Sequence, residues 1–79
     1  MSTLETLASK LAEDTMVAME ETGEDRLFVQ IGDMLAASSQ SLEEAYLTEV
    51  RVRLAERAAR RFLDAKIAAA REAGAQRST

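Results

Sequence analysis

The stretch LEEAYLTEVRVRLAERAARRFLDAKIAAAREA, residues 42–73, decides the fold. It runs for 32 residues without glycine or proline. Ala, Leu, Glu and Arg dominate it, and all four lose little on entering a helix. The stretch therefore predicts one α-helix about 48 Å long at ~1.5 Å per residue. Ser41 followed by Glu44 is a capping box that starts it, and Gly74 is the expected stop.

Two apolar stripes run along this helix. Leu47, Val50, Leu54, Ala58, Phe62, Ala65 and Ala69 form the first. Val52, Ala59, Leu63, Ile67 and Ala70 form the second, offset by more than about 100°. The eleven-residue spacings from 47 to 58 to 69 suit a nearly straight rod. The arc with Glu49, Arg53, Glu56, Arg57, Arg60, Asp64 and Arg71 reads as solvated. A helix apolar on two sides packs on two sides.

Upstream, Ser2 and Glu5 form another capping box and open a helix over 3–22. Leu4, Leu7, Ala8, Leu11, Thr15, Ala18 and Met19 fall within about 120° of its circumference. Met16 and Val17 fall outside that arc and are candidates for a second contact surface. Gly23 is the expected terminator, because glycine enters the left-handed cap conformation cheaply. Thr22 and Asp25 suggest a further start, giving a helix over 24–38. Its stripe is Leu27, Phe28, Ile31, Met34 and Leu35. Residues 27–31 resemble a short strand, but a lone strand has nothing here to pair with. Gly32 costs this helix about 1 kcal/mol relative to Ala and hints at a close helix approach.

The expected fold is all-α: a helical hairpin whose first arm (3–22 and 24–38) is broken at Gly23 and whose second arm is 42–73. A compact three-helix bundle fits less well, because helix three would overhang helix two by about half its length. Residues 1–73 form the expected domain, and 74–79 a frayed tail. One side of the third helix takes the chain's own first arm. The other needs a second copy, so the expectation is a homodimer, most simply a four-helix bundle of two hairpins. Val52, Ala59, Leu63, Ile67, Met16 and Val17 are the candidate interface residues.

Composition narrows the function. The chain has 79 residues and no Cys, His, Trp or Pro. A disulfide framework, a thiolate or imidazole metal site and a Ser-His or Cys-His nucleophile pair are all excluded. Such a short chain has difficulty burying a sufficient core alone. No apolar run reaches the ~18 residues of a membrane span. The first residues lack the basic start and apolar stretch of a secretory signal, so a cytoplasmic location is expected. Arg outnumbers Lys eight to two, and with fifteen Ala this suggests a GC-rich bacterial genome.

The net charge of −4 is unevenly placed. Residues 1–50 carry eleven acids and two bases, or −9; residues 51–79 carry eight bases and three acids, or +5. Arg53, Arg57, Arg60 and Arg71 share one face of the third helix and offer a basic docking surface. A phosphate-binding role is the alternative to a protein-docking one. Glu49, Glu56 and Asp64 on the same face, at helical pairing distance, oppose it, and no aromatic is interleaved for base stacking. The acidic run around Gly23 could hold a divalent cation, but its spacing is not that of a calcium loop. Acids also suit a helix start. Catalysis by two carboxylates needs a pocket that a hairpin scarcely offers. The sequence therefore points to a non-enzymatic interaction or regulatory module acting as a homodimer, with no cofactor or small-molecule substrate inferred. The alternative is a nucleic-acid binder using the Arg face.

Overall fold

A computed structural model describes residues 2–77, with three α-helices: α1 (Thr3–Thr22), α2 (Leu27–Ser38) and α3 (Gln40–Arg77). The expected all-helical class is what folds, and the described residues contain no strand.

Local chemistry sets the boundaries. The Ser2 hydroxyl accepts from the Glu5 amide at 3.2 Å and opens α1. Gly23, at φ 74°, closes it in the left-handed conformation, with its amide on the Met19 carbonyl at 2.9 Å. The second start differs from expectation. Thr22 caps only the turn, accepting from the Glu24 amide, and α2 begins later, at Leu27 after Arg26. The third start moves two residues upstream. Ser39 rather than Ser41 accepts from the Leu42 amide, so α3 gains a half-turn and one extended residue separates it from α2. Gly74 does not stop α3, which continues to Arg77. Its φ is not positive, and a helical glycine costs only about 1 kcal/mol. Of the expected frayed tail, Ser78 and Thr79 lie outside the described residues.

The largest correction concerns the path of the chain. α1 and α2 do not continue one another as a broken arm. α2 runs antiparallel to the start of α3, and Leu47 fits over Gly32, where a Cβ would meet its Cδ2 at 3.2 Å. α1 then lies beside the same half of α3, in the same direction. Leu4 and Ala8 sit beside Ala45 and Thr48, and Met16 and Val17 beside Val52 and Glu56. The turn Gly23–Arg26 thus reverses the chain instead of kinking a rod. The arrangement is the three-helix packing that arm lengths argued against, and the overhang that counted against it is present.

The core is small and lies at one end. Ala8, Ala12 and Met16 of α1 pack against Tyr46 and Val50 of α3, with Thr15 buried among them. Leu11, Met19, Phe28, Ile31, Leu35, Leu42 and Leu47 surround this centre. Two alanines on α1 leave room for the Tyr46 ring. The contact face of α1 therefore keeps Ala8, Leu11, Thr15 and Met19 as expected but is rotated toward Ala12 and Met16, away from Leu4 and Leu7. Met16 is 2% exposed, so its expected outward orientation is corrected, while Leu7 stands 55% exposed. Met34, expected inside, is also on the surface.

From residue 58 to residue 75, α3 has no buried position. It projects past α1 and α2 for about 27 Å at ~1.5 Å per residue. The molecule measures 62 × 29 × 14 Å, with a radius of gyration of 17.7 Å. A compact chain of this length would have roughly 12 Å.

Candidate interaction surface

The α1–α3 seam is held by polar side chains as well as by the core. Tyr46 donates its hydroxyl proton to Thr15 Oγ1 at 3.1 Å, and Thr15 donates onward to the Leu11 carbonyl at 2.7 Å. Burial pushes the Tyr46 phenol above its ordinary value, with the Thr15 hydrogen bond opposing this more weakly. The guanidinium of Arg53 reaches Glu49 Oε1 at 3.0 Å and Ser9 Oγ at 3.0 Å, joining α3 to α1. Arg57 crosses the same seam to Glu20 Oε1 at 3.3 Å.

The arc of α3 read as solvated is therefore a packing face in its first half. Tyr46 lies on that arc and Val50 at its edge, on the margin of the first apolar stripe, so α1 settles there and the long Arg side chains extend over α1. Farther along, Arg60 pairs with Glu56 at 3.1 Å on the surface, and Arg71 is exposed on the projecting half. Of the four candidate docking arginines, two hold the fold together and two stand on the overhang.

The candidate interface residues also divide. Met16 belongs to the core. Val17, Val52, Leu63 and Ile67 are exposed at 48%, 59%, 46% and 39%, and Ala59 is exposed with them. Phe62, placed on the inner stripe by its spacing, is 66% exposed, with Lys66 Nζ 5.4 Å from its ring centre. Both apolar stripes of the overhang thus face solvent, because neither α1 nor α2 reaches it.

Beside the seam runs a shallow groove with two concavities of about 640 and 540 Å³. Leu4, Ala8 and Ala45 line the first, with Glu5, Glu44 and Glu49. Met16, Val17 and Val52 line the second, with Glu13, Glu56, Arg53 and Arg57. Periodicity alone does not reveal this groove, which depends on α1 lying parallel to α3.

Among the described residues no group of three or more carboxylates could hold a metal ion, the acidic run around Gly23 included. No helix among them is long and apolar enough to cross a membrane. No protein-family model, curated protein or solved structure matches the chain.

Proposed function

We propose that this protein is a non-enzymatic interaction module that works as a homodimer, with the overhanging half of α3 as its contact element. One observation carries the reading: Phe62, Leu63 and Ile67 are all exposed on a helix half with no buried position from residue 58 to residue 75. An isolated helix of this length is marginal in water, because nucleation is costly and stability comes mainly from burying a face. Surface area points the same way. The chain exposes 5904 Å², whereas a folded monomer of 8.6 kDa exposes about 4,700 Å².

A nucleic-acid role for the Arg face has less support. Arg53, Arg57 and Arg60 each hold a carboxylate, and a phosphate would have to displace it.

Self-association couples stability to concentration. The melting temperature of the wild-type chain should rise as protein concentration increases. Leu63→Asp, which places a charge in the contact and removes nothing from the core, should lower it and abolish the dependence. A wild-type melting temperature independent of concentration would overturn the reading.

A further inference from the structure

The exposed groove and the exposed overhang lie on the same side of α3, and each lacks what the other has. Val52 belongs to the groove, and Ala59, Leu63 and Ile67 continue its line along the projecting half. The groove carries Glu5, Glu13, Glu44, Glu49 and Glu56 against Arg53 and Arg57, and so stays net acidic. The overhang carries Arg60, Arg61, Lys66 and Arg71 against Asp64 and Glu72. Two overhangs laid on each other would bring like charge together; an overhang laid in a groove brings opposite charge together.

Resting on the homodimer reading above, we infer that the two copies pair antiparallel, each seating its overhang in the α1–α3 groove of the other. The lengths agree. The overhang of residues 58–75 covers about 27 Å and the 20-residue α1 beside the groove about 30 Å, at ~1.5 Å per residue. A two-fold axis between residues 57 and 58 sets Leu63 opposite the partner's Val52, Ile67 opposite its Thr48, and Ala70 opposite its Ala45. A two-fold axis also places like flanks together. In each chain α1 lies along the flank of α3 that bears Arg53 and Arg57, and Arg60 and Arg71 extend that flank. The overhang therefore turns Arg71 toward the partner's Glu5, and Arg60, which also holds its own Glu56, toward the partner's Glu13.

The area suffices. A helix ~10 Å across that buries half its circumference over this length covers roughly 400 Å². Each copy contributes one overhang and one groove, about 800 Å² per copy, which is the share of each partner in a standard stable interface. The product is a four-helix core of two α1 and two α3 helices, with each α2 on the outside.

The chain has no cysteine, so introduced thiols report geometry without interference. Val52→Cys and Leu63→Cys alter exposed positions and leave the core intact. Mixed in equal amounts and oxidised, the two variants should form a disulfide-linked heterodimer, and neither alone should cross-link. Like sites would lie some 16 Å apart along the axis at ~1.5 Å per residue, well beyond the ~7 Å Cα reach of a disulfide. If Leu63→Cys cross-links with itself, or if the mixture stays unlinked while light scattering shows a dimer, the groove seating is wrong and self-association survives. A monomer by light scattering overturns both.

Discussion

Tyr46 is fully buried, and its hydroxyl meets a single side chain, Thr15 of α1. The folded state keeps the phenol neutral, since burial raises its pKa above the ordinary value of ~10. Its contribution to stability is therefore intact below about pH 10 and is lost as pH rises through the raised folded value. Helical circular dichroism should hold to about pH 10 and fall above it, and Tyr46→Phe should move that fall to higher pH. An identical alkaline transition in both proteins would contradict this. Removing the hydroxyl should cost only about 1 kcal/mol at neutral pH, because Thr15 keeps its bond to Leu11. Half of this pair is legible in the sequence: Thr15 falls on the expected inner arc of α1, whereas Tyr46 lies on neither apolar stripe of α3. Periodicity assigns Leu4, Leu7, Ala8, Leu11 and Thr15 to the core face; Ala8 and Thr15 are buried and Leu11 packs beside them, but Leu4 and Leu7 stand exposed while Ala12, outside the arc, is buried. Size complementarity between helices is a tertiary property that hydrophobic spacing does not carry.

The beginning of α1 and its glycine cap are legible, because Ser2 and Gly23 satisfy backbone groups locally. The starts of α2 and α3 are less so. Three candidate capping residues, Ser38, Ser39 and Ser41, compete over one turn, and it is Ser39 that accepts the Leu42 amide. The direction of α1 is not legible at all. Gly23 accommodates a kink and a reversal equally well, and what distinguishes them is the seam formed with Tyr46, Arg53 and Arg57. The long α3 is easily read, yet its two halves behave differently. The first half, through Arg57, is covered by α1 and α2, and the second has no buried position as far as residue 75. Amide hydrogen exchange should show this division. Protection over residues 46–57 should be independent of protein concentration, while protection over 61–75 should weaken on dilution. Protection over 61–75 that does not change across the dilution series would speak against a partner on the overhang.

At the scale of the whole molecule, the chain separates an acidic body from a basic arm. The −9 half forms α1, α2 and the start of α3, and the arm is drawn from the +5 half. The two do not cancel fully within one copy, because the arm projects beyond the body. Charge asymmetry is plain in the sequence, but where it is displayed depends on how far α1 and α2 extend along α3. The candidate surface is correspondingly half legible: Val52, Ala59, Leu63 and Ile67 stand out by spacing, while Glu5 and Glu13 acquire meaning only once α1 lies beside α3. The claim on which the rest depends is that the arm is occupied by a second copy. Multi-angle light scattering of the wild-type chain at micromolar concentration measures this directly. The mass should be twice the 8.6 kDa of one chain. A mass of one chain, unchanged as concentration rises, would contradict it.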